Sequence, residues 1–228
     1  MMKDLRLGLL KKLKSFIEFD LFNIEPFCSI DIMIAQKECI QCRVVVIGDA
    51  SVGKTSLLNQ LVEHKFNQYE PSTVGANYQL FVKEADGIKI EVQIWDTAGQ
   101  EKFRSLGPIY FRNAVGALAV FSLNNRNSFH NLDDWINTFT EVAGTEATIA
   151  IAANKSDLVN EYEISIKEAE DWAIERGYIF QATSAKTSDG VETLFDKLAL
   201  QLIQNTTSNI KQNSKNISES SAQKSSCC

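Results

Sequence analysis

The sequence contains no apolar run of the roughly 18 residues that a helix needs to cross a membrane, so no segment reads as a span. It also lacks a basic excess: 23 Lys and Arg against 29 Asp and Glu leave a formal charge of −6. That argues against nucleic acid as the main partner while leaving room for small anions held by a local loop. Histidines number two, and the five cysteines are an odd count. Cys39 and Cys42 form a C-x-x-C with no second pair and no clustered histidines, which argues against zinc or a redox pair. A reducing, cytosolic setting fits such usage. No small-residue cleavage site follows the leading apolar residues, and charges interrupt them early, so a signal peptide is excluded. The far end lacks a polybasic patch: only Lys211, Lys215 and Lys224 lie there, opposed by Glu219.

A chain of 228 residues suits one α/β domain with appendages. Residues 1–41 form a leader unlike the rest. Leu5, Leu9, Leu13, Phe16 and Ile17 fall loosely on one helical face among Lys3, Arg6, Lys11, Lys12 and Lys14. Two readings stay open: a helix lying on a membrane surface, or a segment upstream of a true start at Met33, the one preferred. From Cys42 the chain alternates strands and helices, which predicts a mainly parallel sheet covered on both faces. Strands are expected at 43–47, 78–84, 88–95, 117–122, 148–153 and 178–183. Helices are expected after the first strand to about residue 63, within 97–113, from Asn124 through Phe139, at 166–176 and at 191–202. Ala85-Asp86-Gly87 is a hairpin signal, and Gly177 stands where a helix C-cap belongs. Beyond about Gln204 almost nothing apolar remains, so residues 205–228 are expected to be disordered.

Gly48-Asp49-Ala50-Ser51-Val52-Gly53-Lys54-Thr55 organises this layout. It matches the phosphate-loop pattern G-x-x-x-x-G-K-[ST], with an apolar strand before it and helix-compatible spacing from Ser56 onward. Its glycines permit conformations that aim successive N–H groups at phosphate oxygens, with the positive end of a helix behind them. Asp49, Ala50, Ser51, Val52, Gly53, Lys54, Thr55 and Ser56 are therefore the expected phosphate side of a nucleotide site. Lys54 is assigned to the β- and γ-phosphates, and the Thr55 hydroxyl to Mg²⁺.

Two later segments choose the chemistry. Trp95-Asp96-Thr97-Ala98-Gly99-Gln100-Glu101 closes a strand, so Asp96 would hold a water on Mg²⁺, Gly99 would offer its N–H to the γ-phosphate, and Gln100 would orient the attacking water. Asn154-Lys155-Ser156-Asp157 follows another strand, at the sheet end where open parallel sheets bind ligands. Guanine presents two donors, its N1–H and 2-amino group, that one carboxylate accepts together; adenine offers neither. Asp157 is the acceptor, Asn154 supports the loop, and the Lys155 stem covers the base. Ser184-Ala185-Lys186 completes the site, with the Ala185 N–H directed to the guanine O6.

In this order and at strand ends, these motifs resemble a small Ras-like GTPase over residues 42–204, and within that superfamily the Rab family. The fold implied is the Ras-like phosphate-loop GTPase fold, six strands in a mostly parallel sheet with five flanking helices. Trp95–Glu101 is similar to the Rab W-D-T-A-G-Q-E, Phe103-Arg104-Ser105-Leu106 and Tyr110-Phe111-Arg112 resemble the following switch, and a Cys227-Cys228 ending is frequent in Rabs. The resemblance implies that Ser72–Ala76 is the first switch, with Thr73 on Mg²⁺ only when a γ-phosphate is present, and that Phe66 packs on the base. It implies geranylgeranylation of Cys227 and Cys228, since stable anchoring takes two lipid signals. It further implies GTP/GDP and Mg²⁺ as ligands, and an exchange factor, a GTPase-activating protein, a GDP-dissociation inhibitor or escort protein, and effectors as partners of a monomer. Its place would be the cytoplasmic face of intracellular, by the S-T-V-G-A run endosomal, membranes, as a switch in vesicle-mediated transport. Departures are Asn77 and Tyr78, where many Rabs have Asp and Phe, and Ala50 in the loop, where Rabs usually carry a small residue such as Ser. Unaided turnover is expected near the Ras value of roughly 10⁻⁴ s⁻¹, with a partner adding about 10⁵-fold. The rival reading is a hydrolysis-impaired scaffold, with the intact Gln100 against it. A phosphate-loop kinase would need an acceptor site and an arginine-rich lid, and neither is in the sequence.

Overall fold

Val44, Val45, Val46 and Ile47 are all fully buried, yet they face two different cores. On a strand, successive side chains point to opposite faces, so Val44 and Val46 enter one cluster and Val45 and Ile47 the other. That requires layers on both sides of the sheet, and it explains why the first strand reads as a continuous apolar run. The computed structural model describes residues 39–85, 87–99 and 107–222. Both readings of the leader, the hairpin residue Asp86, the assigned Gln100, residues 101–106 and the terminal cysteines Cys227 and Cys228 lie outside the described residues.

Strands are β1 (Cys39–Ile47), β2 (Ala76–Ala85), β3 (Ile88–Thr97), β4 (Gly116–Ser122), β5 (Thr148–Asn154) and β6 (Ile179–Ala182). They form a single sheet in the order β2-β3-β1-β4-β5-β6. β2 and β3 pair antiparallel as the hairpin signal predicts, and the other neighbours pair parallel. Helices are α1 (Lys54–Glu63), α2 (Gly107–Phe111), α3 (Arg126–His130), α4 (Leu132–Ala143), α5 (Ile166–Glu175) and α6 (Val191–Ala222), with a 3₁₀ turn at Val159–Glu161. Leu57, Leu58, Leu194, Phe195 and Leu198 of α1 and α6 fill one core; Phe111, Phe129, Trp135, Phe139 and Ala173 fill the other. Truncating a side chain such as Phe139 to Ala would cost about 3–5 kcal/mol.

Local signals account for the helix ends. Ser165 accepts from the Glu168 N–H and starts α5. Gly177 follows its last turn at φ +72°, with its N–H on the Ile174 carbonyl and the Tyr178 N–H on that of Ala173.

Three boundaries differ from the expectations. β1 begins at Cys39, not at residue 43, which places the spacing-three cysteines on opposite faces, Cys42 buried and Cys39 exposed. The helix expected from Asn124 is two, α3 and α4, broken at Asn131, whose amide turns toward the phosphate loop. The disorder expected from residue 205 is replaced by a continuing α6 to Ala222. Lengthening a helix that is already nucleated adds a backbone bond for each residue ordered. Thr206, Thr207 and Ser208 hydroxyls also bond carbonyls four residues back, and Asn205 Nδ2 donates to Thr148 Oγ1 at 3.0 Å.

Candidate functional site

The carboxyl ends of β1, β3, β5 and β6 open on one edge of the sheet, and the three motifs meet there. The phosphate loop leaves β1 and enters α1 through Gly53 at φ +99°. A Cβ on Gly53 would come 2.3 Å from Asn154 Nδ2, so only glycine satisfies both the backbone angle and the space. A Cβ on Gly99 would lie 2.2 Å from Lys54 Nζ and 2.5 Å from the Asp49 carbonyl oxygen. Glycine there brings the end of β3 against the loop.

Lys54 is buried, and its ammonium donates to the carbonyls of Gly48 at 2.9 Å and Asp49 at 2.7 Å. Burial pulls its pKa down to about 8, against the opposing pull of Asp96 and Asp49. Beside it, Thr55 Oγ1 donates to Asp96 Oδ2 at 2.7 Å and lies 2.7 Å from Thr73 Oγ1, which reaches the same carboxylate oxygen at 3.2 Å. Asp96 is 1% exposed, and burial raises its pKa while the Thr55 hydrogen bond and Lys54 lower it. Its Oδ1 is buried without a hydrogen-bond partner. Two hydroxyls and one carboxylate, with an acceptor left unsatisfied, are the hard oxygen set that suits Mg²⁺ shared with phosphates. Among the described residues no cluster of three or more His, Cys, Asp or Glu offers an all-protein cage. A cavity of about 100 Å³ lined by Ala50, Ser51, Gly53, Lys54, Thr55, Ser56, Thr73 and Gly99 occupies this corner.

A second cavity, of about 510 Å³, continues from it past Ser51, Gly53 and Ser56 to Phe66, Asn154, Lys155, Asp157, Ala185 and Lys186. Asn154, 1% exposed, is the brace between the two: its Nδ2 donates to the Val52 carbonyl at 2.8 Å, and its Oδ1 accepts from the Ala185 N–H at 3.3 Å. The Ala185 N–H assigned to a base oxygen thus has an internal partner, although a long one. Asp157 Oδ1 accepts from the buried Ser184 hydroxyl at 2.7 Å, and Oδ2 is 4.0 Å from Lys186 Nζ. Lys155 adopts φ +64°, uncommon for a side-chain-bearing residue, and burial lowers its pKa.

Nineteen residues, Asp96 and Gln100 among them, were assigned to this site from motifs or resemblance, and the structure brings the described ones to one edge; Asp49 enters differently. Its carbonyl meets Lys54, but its carboxylate turns to α4. Sequence reasoning missed Glu70 and Pro71, which line the phosphate cavity beside Ser72 of the first switch, and Tyr162, whose hydroxyl donates to the Ser156 carbonyl at 2.7 Å. Only tertiary contact reveals them.

A doubly covered sheet with a phosphate loop after β1, an oxygen set for Mg²⁺ and a carboxylate at the base end defines a phosphate-loop nucleotide-binding protein of the guanine class. Comparison with known proteins agrees. The Ras family model matches residues 43–204. The chain is 40% identical over 157 residues to Ras-related protein Rab-11B of Dictyostelium discoideum, covering 69% of this chain and 71% of that one. It is 41% identical over 157 residues to Ras-related protein Rab-8B of Homo sapiens, covering 69% and 76%. To Ras-related protein Rab-21 of Bos taurus it is 38% identical over 162 residues, covering 71% and 73%. The chain belongs to the Ras family, as a small GTPase of the Rab type. It is therefore an enzyme that hydrolyses GTP, with GTP, GDP and Mg²⁺ as its ligands.

Proposed function

We propose that this GTPase is a nucleotide-dependent switch recruited to the cytoplasmic face of intracellular membranes, where it regulates vesicle-mediated transport. The observation that carries the switch is the meeting of Thr55, Thr73 and Asp96 Oδ2 within 3.2 Å. Thr73 belongs to a loop, Thr55 to a helix and Asp96 to a strand, so a charge at this point decides whether the loop is held. Mg²⁺ supplies there the neutralisation of phosphate oxygens. Lys54 holds the phosphates, the Gly99 N–H meets the γ-phosphate, and Gln100 orients the attacking water. Phe66, Lys155 and Asp157 hold the guanine, with Ser184, Ala185 and Lys186 closing its edge. Loss of the γ-phosphate releases Thr73 and Gly99 together.

Effectors would meet the outer face of β2 and β3, where Tyr78 and Tyr110 each pack on Trp95 with ring centroids 5.8 Å apart and Tyr78 is 50% exposed. An exchange factor, a GTPase-activating protein and a GDP-dissociation inhibitor or escort protein complete the cycle of a monomer. Prenyl groups on Cys227 and Cys228 attach it to the membrane; no helix among the described residues is long and apolar enough to cross one.

Imaging the tagged full chain tests the proposal. Gln100→Leu, which retains GTP, should accumulate on vesicle membranes, and Thr55→Asn should not. Indistinguishable distributions of the two would overturn it.

A further inference from the structure

Asp49 puts an anion directly behind a loop built to receive phosphates, where its charge opposes the ligand. The structure gives that carboxylate a different target. Oδ2 accepts from Asn131 Nδ2 at 2.7 Å and Oδ1 from Trp135 Nε1 at 2.8 Å. Asn131 is the break between α3 and α4, and Trp135, 4% exposed, is on the first turn of α4. Both are hydrogen bonds to an ionised acceptor, the stronger kind. The main chain of the same residue faces the reaction: its carbonyl accepts from Lys54 Nζ at 2.7 Å, and a Cβ on Gly99 would lie 2.5 Å from that oxygen. One residue is thus held from the α4 side through its side chain and by the phosphate-binding lysine through its backbone, with Gly99 close against that carbonyl. Farther along α4, Phe139 packs edge-on against Phe111 of α2 with centroids 5.4 Å apart. Phe111, with Tyr110 and Arg112, belongs to the segment whose resemblance is to the second switch.

We infer that Asp49 is a positioning residue, and that the Asp49–Asn131–Trp135 latch couples retention of the nucleotide to the placement of α4. If α4 moves, the Asp49 peptide moves with it, and with that peptide the bond that aims Lys54. The inference rests on the nucleotide site described above.

The test is release of a fluorescent N-methylanthraniloyl-GDP from the full chain in excess Mg²⁺. Trp135→Phe removes the indole N–H while keeping an aromatic ring in the slot, and Asn131→Ala removes the second donor. Release should quicken about threefold in Trp135→Phe and about tenfold in Asp49→Ala, on the scale of one and of two net hydrogen bonds. The Asp49→Ala/Trp135→Phe double variant should release no faster than Asp49→Ala, because its partner is already gone. The Trp135 indole N–H resonance, identified by its loss in Trp135→Phe, should shift upfield in Asp49→Ala and differ between the GDP and GTP-analogue forms. A residue that merely stabilises the fold would lower the unfolding temperature without moving release or that nucleotide dependence. Should Asp49→Ala fail to fold, Trp135→Phe and Asn131→Ala decide the matter alone. Unchanged release in both, or additive effects in the double variant, overturns the latch. Wild-type protein that fails to bind the GDP probe would instead refute the nucleotide site itself.

Discussion

Asp157→Asn changes a single atom, and the surrounding bonds determine which of the two carboxylate oxygens is lost. Ser184 Oγ accepts from the Thr187 N–H at 3.1 Å and donates to Asp157 Oδ1 at 2.7 Å. Its one proton is therefore committed to Oδ1, and an asparagine must keep its oxygen there. The new NH₂ replaces Oδ2, on the side of the base cavity and of Lys186. Loss of attraction to Lys186 matters little, since that side chain is 62% exposed and screened. Facing the guanine is what matters: a donor then opposes the N1–H and 2-amino donors, and each buried polar group left unpaired costs about 1–3 kcal/mol. GDP affinity should fall by about one to two decades. Xanthine carries an oxygen in place of the 2-amino group, which the new NH₂ matches, so xanthosine diphosphate should gain as guanosine diphosphate loses. Competition titrations against one fluorescent nucleotide measure both changes. A variant that keeps wild-type GDP affinity and gains nothing for the xanthine nucleotide would refute the assignment of Asp157 and the orientation argued from Ser184.

Thr55→Asn removes one of the hydroxyls beside Asp96, so GTP and Mg²⁺ affinity should drop more than GDP affinity; equal losses in titrations of both nucleotides would count against the shared metal site. Burial pushes Lys54 down to about 8 from its ordinary 10.5, and a phosphate beside it would raise that value again. Nucleotide binding near pH 8 should then take up part of a proton, and affinity should weaken as pH rises through that value; calorimetry in buffers of differing ionisation enthalpy would show no buffer dependence if this is wrong. In the ligand-free domain the depressed value is a stability penalty, fully present below about pH 8 and relieved as pH rises toward 10.5, because the unfolded chain binds the proton more tightly in that window. Replacing Cys227 and Cys228 together with Ser should leave nucleotide binding intact and move the protein to the soluble fraction; a double variant that still pellets with membranes would place the anchor elsewhere.

The sequence by itself determined the order of elements and the chemistry of the motifs. β1 declared itself as an apolar run, α1 by the glycine-bounded loop before it, and α5 by its apolar spacing and the glycine after it. Lys54, Thr55, Asp96, Asn154 and Asp157 were legible because each belongs to a short contiguous pattern whose chemistry depends on local backbone. What tertiary structure decided were the partnerships between distant residues. Thr73, given by family resemblance alone, takes its place from oxygens contributed by α1 and β3, and Asn154 braces Val52 across the site. Asp49 was placed in the phosphate loop by its motif, but the partners of its carboxylate, 82 and 86 residues away at the start of α4, were not legible there. Hydrogen bonds of this kind leave no periodicity and no motif, since an asparagine or a tryptophan at a helix start is chemically unremarkable until the fold sets it opposite a carboxylate. The continuation of α6 past Gln204 was not legible either: composition registers whether a segment has a core to bury, and not the hydroxyl-to-carbonyl bonds of Thr206, Thr207 and Ser208 or the contact of Asn205 with Thr148.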